Sequence, residues 1–328
     1  MLKFLFLFLT FSLIHVSNGY EYDETRLLFD GIPVRIHFAP LHDGLSTEIW
    51  EYLTSVDQVF NDYRSDSEIS QLHQKESLNN ERISIQLAEA IKKSNYIHAL
   101  TQGAFNISSR PLRHMWENAA KLNMKPSDNE IIRIRLQCLQ QNLILKNRLL
   151  SSDKAINLDF GGIIKGIAVD HIMKMLQEKK CSQAMVQLGG ETSTFGLSSK
   201  NRPFHLAIPN PKQKGDIHSI IQSSPKGISI STSGNSERAV TIAGIQQYHI
   251  IDPRNGYPAS IKVFSVSILF PEPGKNWLCD SLSTAGVILG PEKTFKIVKE
   301  LGGEAMFLIA DGQKVNFITT PGWKAFEL

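Results

Sequence analysis

Apolar and polar residues are spaced along the chain in a way that predicts a mixture of helices and strands. Over residues 31–39 they alternate, which is typical of a strand with one buried face. Over residues 45–62 the apolar residues recur every three or four positions, which predicts an amphipathic helix. The same helical spacing predicts further helices at 83–100, 126–140, 163–179, 280–289 and 291–301.

Short apolar segments bounded by turn residues predict strands, most of them in the second half of the chain. These strands are predicted at 142–146, 155–159, 184–190, 204–208, 217–222, 228–232, 239–242, 247–251, 263–270, 305–310 and 314–319. The last two flank Asp311-Gly312, a dipeptide typical of a tight hairpin turn. Helices mixed with mostly antiparallel strands predict a fold of the α/β class, in its mixed α+β form.

The first twenty residues have the pattern of an export signal. Lys3 precedes an apolar run from Phe4 to Ile14, and small polar residues follow. This pattern is typical of a secretory signal peptide with cleavage after Gly19. We therefore expect residues 1–19 to be a signal peptide, with an uncleaved N-terminal anchor as the alternative. In both cases the body of the protein leaves the cytoplasm.

Composition excludes several classes of protein. Of the 328 residues, 42% are hydrophobic and 20% are charged, which excludes a disordered chain and a polytopic membrane protein. The net charge of +3 is too small to indicate a nucleic-acid partner. The three widely spaced cysteines, Cys138, Cys181 and Cys279, fit neither a disulfide framework nor a zinc site.

The segment INLDFGGIIKG (156–166) is the first candidate for chemistry. A predicted strand runs into Gly161-Gly162, and a predicted helix follows at once. Glycines allow a ligand to approach the backbone, and free N–H groups at a helix start attract phosphate, which Lys165 could also reach. The spacing is that of neither a P-loop nor a dinucleotide-binding fingerprint. The alternative is an ordinary strand–turn–helix with a surface lysine.

Asp280 and Thr284, in CDSLSTAG (279–286), are the second candidate. They are four positions apart, so a helix would place both side chains on one face. A carboxylate and a hydroxyl are hard oxygen ligands suited to Mg²⁺. The alternative is that Asp280 only caps the N-terminus of a helix.

Two further segments could belong to a site. His249 is predicted near a strand end, before a rigid turn that begins at Asp252, where it could serve in acid–base chemistry or contact a phosphate. The alternative is a partly buried histidine with an ordinary structural role. The segment 227–239 is rich in small hydroxyl residues and glycine, which favours either a tight turn at a ligand or a polar hairpin.

Taken together, these segments resemble the ApbE family, the FAD:protein FMN transferases, from about residue 29 to residue 319. The matching blocks, in the family's order, are DYRSDSEISQLH (62–73), GAFNISSRPLRHMW (103–116), INLDFGGIIKGIAVD (156–170), VQLGGE (186–191), STSGNSER (231–238), HIIDPRNGYP (249–258) and DSLSTA (280–285). The resemblance implies that residues 20–328 form a single domain of the family's fold, with a flavin cleft.

The resemblance also implies site residues. The family's flavin-nucleotide positions are occupied here by Tyr63, Ala104, Phe105, Asn106, Asp159, Lys165 and Ile250. The family's magnesium positions are occupied by Asp280, Thr284 and the backbone oxygen of Gly162, and its proposed catalytic histidine by His249. Lys165 is expected to stabilise phosphate charge during catalysis.

The chain departs from the family pattern at two places. Asn106 stands where the family usually has Asp, so one contact loses its charge but keeps a hydrogen-bonding group. Asp30-Gly31-Ile32 stands where Met-Gly-Thr is common, so Asp30 is not expected in the site.

The reaction implied by the resemblance is Mg²⁺-dependent transfer of FMN from FAD to a Thr or Ser hydroxyl of a target flavoprotein, with release of AMP. We therefore expect FAD as donor, Mg²⁺ as cofactor, and an acceptor that is a membrane electron-transfer subunit in the bacterial periplasm. Association with the inner membrane would follow from an uncleaved signal segment. The alternatives are an exported FAD pyrophosphatase, a non-catalytic FAD-binding protein, or a protein that binds no flavin.

Overall fold

Antiparallel strands from both ends of the chain form one large sheet. The computed structural model describes residues 13–14, 20–29, 31–139, 143–198, 200–210, 216–234, 240–311 and 314–328. Within these residues the strands are β1 (Leu13–Ile14), β2 (Tyr22–Leu28), β3 (Ile32–Ala39), β4 (Leu78–Arg82), β5 (Ile144–Lys146), β6 (Leu149–Ser152), β7 (Gln183–Leu188), β8 (Glu191–Phe195), β9 (His205–Pro209), β10 (Ile217–Gln222), β11 (Ile228–Gly234), β12 (Val240–Ile242), β13 (Ile245–Gln247), β14 (Val263–Phe270), β15 (Glu304–Asp311) and β16 (Lys314–Thr319).

In the described part of the chain, nine of these strands form the large sheet in the order β1-β2-β3-β7-β8-β11-β14-β15-β16. Smaller sheets pair β9 with β10, β12 with β13, and β4 and β5 with β6. The helices are α1 (Leu45–Phe60), α2 (Glu68–His73), α3 (Ile85–Leu100), α4 (Arg110–Leu122), α5 (Asp128–Leu139), α6 (Ile164–Glu178), α7 (Asn276–Leu289) and α8 (Pro291–Glu300).

The helices pack their apolar sides on the large sheet in two principal clusters. One cluster joins α1 and α6 to β3 and β7, with Leu53 and Ile172 packed against the strands. The other joins α3, α7 and α8 to β14 and β15, and it extends to Phe105, Phe160 and Ile250. Apolar burial at this second cluster therefore brings together segments that the sequence places far apart.

The mixed α+β fold class and most of the predicted elements are confirmed. Three predictions need correction. Residues 155–159 form no strand, because the N–H groups of Leu158 and Asp159 bond to the His73 side chain at 3.0 Å and the Ile107 carbonyl at 2.6 Å instead. The strand predicted at 247–251 ends at Gln247, and His249 follows in a bend. The helix predicted at 280–289 begins at Asn276.

The predicted signal peptide lies largely outside the described residues, as do Asp30, residues 235–238 of the STSGNSER block and Gly312 of the predicted hairpin turn. None of the helices in the described part of the chain combines the length and the apolar character that a bilayer span requires.

Candidate active site

Asp280 lies inside α7, with its carboxylate turned toward the start of α6. The side chain is 1% exposed, and Oδ2 accepts a hydrogen bond from the Gly166 N–H at 3.0 Å. Because α7 begins at Asn276, four residues earlier, Asp280 is not a helix cap and that alternative is wrong. The structure therefore brings this carboxylate to the predicted Gly161–Lys165 turn.

Capping of α7 is instead done by Asp170, from α6. Its two carboxylate oxygens accept the N–H groups of Asn276 at 2.8 Å and Trp277 at 2.9 Å. Burial raises the pKa of Asp170 to about 7, against those two backbone hydrogen bonds, which lower it. Asp170 closed the matched block of 156–170, but sequence reasoning gave it no role, since its partners lie far along the chain.

The glycines of the α6 turn allow close approach to α7. A Cβ at Gly162 would lie 3.1 Å from Thr284 Oγ1 and 3.3 Å from the Phe105 ring. A Cβ at Gly166 would lie 2.3 Å from the Asn276 carbonyl oxygen, closer than real atoms come. The backbone at Gly162 therefore lies beside Thr284, as the expected magnesium set requires.

The ammonium group of Lys165 contacts two buried carboxylates, those of Asp280 and Glu191. Its Nζ lies 3.1 Å from Asp280 Oδ1 and 3.5 Å from Glu191 Oε1, and it donates to the Gly161 carbonyl at 3.0 Å. Burial opposes the charged form of the lysine, but the two carboxylates outweigh it and raise its pKa. Lys165 therefore neutralises Asp280, while its predicted contact with a phosphate stays a prediction.

Glu191 is a site residue that sequence reasoning missed. It is 2% exposed, and its Oε2 is buried without a hydrogen-bond partner among the described residues. Burial and the neighbouring Asp280 raise the pKa of Glu191 well above its usual range. The available signal was a glutamate directly after Gly189-Gly190, at the head of a strand whose other residues are apolar or small.

The start of α6 offers fewer free N–H groups than its sequence predicts. The amides of Ile163 and Ile164 both bond to the Phe160 carbonyl at 3.0 Å, and that of Gly166 bonds to Asp280. The expectation that this helix start presents free donors for phosphate is therefore wrong for these three residues.

Tyr63 and Asp159, predicted from separate blocks, are joined by one guanidinium. Arg113 Nη1 donates to the Tyr63 hydroxyl at 2.9 Å, and Arg113 Nε lies 2.7 Å from Asp159 Oδ2. Asp159 Oδ1 accepts the Gly161 N–H at 2.8 Å, which connects this pair to the glycine turn. Burial opposes the charged form of Arg113, but the surrounding carboxylates raise its pKa.

The Ala104-Phe105-Asn106 turn lies against the glycine turn before α6, where the Phe105 ring faces Gly162. Ala104 and Phe105 are buried, and the Phe105 carbonyl is 2.9 Å from His98 Nδ1. Asn106 Oδ1 accepts the Ser108 N–H at 2.8 Å and so caps the short helix that follows. This contact uses the amide oxygen, which asparagine and aspartate share.

His249 and Ile250 lie on the loop after β13. His249 is exposed, whereas Ile250 is buried in the apolar cluster that contains Phe105. The Ile250 carbonyl accepts the Ala259 N–H at 2.8 Å, and Arg254 holds both carboxylate oxygens of Asp252 at 2.8 and 2.7 Å. The loop is thus fixed by its own turn, with His249 on its solvent side.

Small hydroxyl residues of β11 also lie close to Thr284, one of the residues expected to hold magnesium. Ser233 Oγ lies 3.3 Å from Thr284 Oγ1 and 2.7 Å from Ser283 Oγ, and Ser231 Oγ lies 3.1 Å from Ser283 Oγ. The described part of the STSGNSER block, residues 231–234, is the end of strand β11 and lies beside Thr284, whereas the predicted turn itself falls outside the described residues.

The donor set suits a hard cation. In the described part of the chain, no three His, Cys, Asp or Glu side chains are grouped to hold a metal. The expected set instead combines one carboxylate, one hydroxyl and a backbone oxygen, all of which are oxygen donors of the type Mg²⁺ prefers. The buried Oε2 of Glu191 has no hydrogen-bond partner among the described residues, and Lys165 joins this side chain to Asp280.

The chain is similar to flavin transferases in both sequence and structure. The ApbE family profile matches residues 31–308. The FAD:protein FMN transferase of Vibrio cholerae is 30% identical over 260 residues, which are 78% of this chain and 76% of that protein. The Escherichia coli K12 protein of the same name is 26% identical over 290 residues, 86% of this chain and 81% of that protein.

A solved structure gives the same result. The flavin transferase ApbE from Vibrio cholerae has 25% sequence identity and a TM-score of 0.79, over 93% of this chain and 99% of that chain. The family profile spans the segments that meet at Asp280, and the resemblance predicted from the sequence blocks is confirmed. This chain belongs to the ApbE family.

Proposed function

We propose that this ApbE-family enzyme transfers FMN from FAD to a Thr or Ser hydroxyl of an exported flavoprotein, with Mg²⁺ as cofactor and AMP as the second product. The observation that carries the proposal is the convergence of Asp280, Thr284 and the Gly161–Lys165 turn. The name shared by the relatives, FAD:protein FMN transferase, supports FAD as donor and a protein as acceptor.

The metal would be held by Asp280, Thr284 and the backbone oxygen of Gly162. When bound, Mg²⁺ supplies charge neutralisation at the diphosphate and alignment of the attacked phosphorus. The α7 scaffold favours this role because Asp170 already caps the helix, which leaves the Asp280 carboxylate for other partners.

Lys165 would hold positive charge next to the diphosphate. Asp280 and Glu191 keep its ammonium protonated, so it can offset negative charge that grows on the phosphate oxygens during transfer. Its bond to the Gly161 carbonyl anchors the ammonium to the glycine turn.

His249 would take the proton of the acceptor hydroxyl. Its exposure supports this role, since a protein segment that brings the hydroxyl must enter from solvent. The fixed turn at Asp252 would hold the histidine in place. Phe105, Tyr63 and Asp159 would line the flavin-nucleotide side.

The acceptor would be a membrane electron-transfer subunit in the bacterial periplasm. The signal-like segment at residues 1–19 supports export of the enzyme, by cleavage or as an N-terminal anchor at the inner membrane.

The test is mass spectrometry of a candidate exported flavoprotein after incubation with the enzyme, FAD and Mg²⁺. A mass gain equal to an FMN phosphoester, with one AMP released per acceptor, supports the proposal. Samples with EDTA or without acceptor are the controls, and neither should form product.

Two other results would contradict the proposed function and indicate a different one. Fast release of AMP and free FMN without acceptor would indicate an FAD pyrophosphatase. A tight FAD complex that yields no AMP under any of these conditions would indicate a flavin carrier.

A further inference from the structure

The guanidinium of Arg113 contacts two residues proposed for the flavin site, although the sequence analysis gave no role to this residue of the 103–116 block. We propose that Arg113, on α4, is a positioning residue for FAD, which holds Tyr63 and Asp159 in the arrangement that receives the nucleotide. The inference rests on the proposed function, because it takes Tyr63 and Asp159 as flavin-nucleotide residues.

The geometry is that of a fork with a different partner on each nitrogen. Nη1 donates to the Tyr63 hydroxyl at 2.9 Å, Nε lies 2.7 Å from Asp159 Oδ2, and Nη2 donates to Asp62 Oδ2. Nη1 also donates to Glu117 at 3.0 Å, one turn along α4. The Arg113 side chain is only 19% exposed, so these contacts are partly shielded from water.

Tyr63 depends on such a contact for its orientation. The side chain is 71% exposed in the turn between α1 and α2, where packing restricts it little. Arg113 fixes both its hydroxyl and its ring, since the guanidinium carbon lies 5.6 Å from the ring centroid. A tyrosine already held in place loses less rotamer freedom when FAD binds, which favours binding.

Asp159 depends on Arg113 for its charge balance. Its Oδ1 holds the Gly161 amide at 2.8 Å, and its Oδ2 faces Arg113. Without the guanidinium, Asp159 would present an unbalanced carboxylate to a ligand that carries a negative diphosphate, whereas Asp62 would keep its ion pair with Arg110. Arg113 therefore lowers the repulsion of FAD and keeps Asp159 on the glycine turn.

Arg110 provides a matched comparison on the same helix. It donates to Asp62 Oδ2 at 2.9 Å and to Asn157 at 3.3 Å, but its described contacts include neither Tyr63 nor Asp159. A lysine at either position keeps the charge but loses the planar fork. A comparison of Arg113→Lys with Arg110→Lys thus distinguishes the loss of the contacts with Tyr63 and Asp159 from a general change near Asp62.

The test is the Kd of FAD in the presence of Mg²⁺, measured by titration calorimetry on the full chain. We expect Arg113→Lys to weaken FAD binding about 10-fold, and Tyr63→Phe about 3-fold, since the second removes only the bonded hydroxyl. Arg110→Lys should change the Kd less than about 2-fold. In transfer assays, KM for FAD should rise in Arg113→Lys while kcat changes little.

The double variant decides whether Arg113 acts through Tyr63. If it does, Arg113→Lys with Tyr63→Phe weakens binding by less than the product of the single effects. Independent effects, or wild-type affinity in either single variant, overturn the inference. Tyr63→Phe keeps it testable if Arg113→Lys folds poorly, because Tyr63 is on the surface. Wild-type protein that binds no FAD would overturn the proposed function as well.

Discussion

The backbone of Gly166 meets the carbonyl of Asn276 so closely that a Cβ at Gly166 would lie 2.3 Å from that oxygen. The two residues belong to α6 and α7, the helices that carry Lys165 and Asp280. The absence of a side chain at one position therefore sets the separation of the two helices at the centre of the site.

Gly166→Ala should destabilise the protein, although alanine ordinarily favours a helix over glycine. The added methyl group must push the helices apart, at a cost of about 1–3 kcal/mol in the free energy of unfolding. Urea denaturation measures this cost. Lys174→Ala, at an exposed position of α6, is the control and should cost less than about 0.5 kcal/mol. Equal stability of the two variants would contradict the close contact.

Asp280→Ala should abolish Mg²⁺-dependent flavin transfer. The variant loses the proposed metal ligand and leaves Lys165 with Glu191 as its remaining carboxylate partner. Covalent flavin fluorescence of an acceptor protein in a gel measures the transfer, at a series of Mg²⁺ concentrations. Ser281→Ala is the control, because the bonds of that hydroxyl to the described residues go to carbonyls of its own helix, at Trp277 and Leu278. Normal transfer by Asp280→Ala would refute the metal assignment.

His249→Ala should slow transfer but leave FAD binding almost intact. Loss of a general base typically costs ~10²–10⁴-fold in rate. Single-turnover transfer between pH 6 and 9 measures the effect, and FAD affinity is measured in parallel. His218→Ala, which removes a ring stacked on Phe317, is the control. Wild-type kinetics of His249→Ala across this pH range would eliminate the base role.

Protonation of His73 should lower the free energy of unfolding in mild acid. Its Nε2 accepts the Leu158 N–H at 3.0 Å, which requires the neutral ring. Burial, and then the charge of Arg110, lowers the pKa of His73 to about 4. The unfolded chain, with a histidine pKa of about 6.5, thus binds a proton more readily than the folded chain. Stability from this group is therefore complete above about pH 6.5 and is lost as the pH falls toward 4.

The size of the His73 effect can be measured by urea unfolding at pH 7.5 and pH 5. We expect this residue to account for about 1–2 kcal/mol of the difference in unfolding free energy, after allowance for solvent around the half-buried ring. His73→Gln keeps an acceptor for Leu158 but does not titrate, so the difference should shrink by that amount. A difference of the same size in both proteins would show that His73 does not titrate as described.

Periodicity in the sequence was sufficient to predict most elements, because it records which face of each segment is buried. It failed at residues 155–159, which have the alternation of a strand but bond to the His73 side chain and the Ile107 carbonyl. Local spacing also placed Asp280 and Thr284 correctly on one helix face.

The contacts between distant segments could not be read from periodicity. Lys165 and Asp280 are 115 positions apart, and only the resemblance to a family brought them into one expected site. Glu191 and Arg113 were missed because their roles depend on which side chains face them after folding. The same holds for Asp170, whose partners lie across the contact between two helices.

The close contact between α6 and α7 limits how far this side of the site can move when an acceptor protein binds. The backbone contact at Gly166 and the two hydrogen bonds of Asp170 hold α6 and α7 rigidly together. This side of the site therefore cannot change its conformation around an incoming polypeptide. Under the proposed function, adjustment to an acceptor would therefore come from residues outside this contact, such as the exposed Tyr63 and His249.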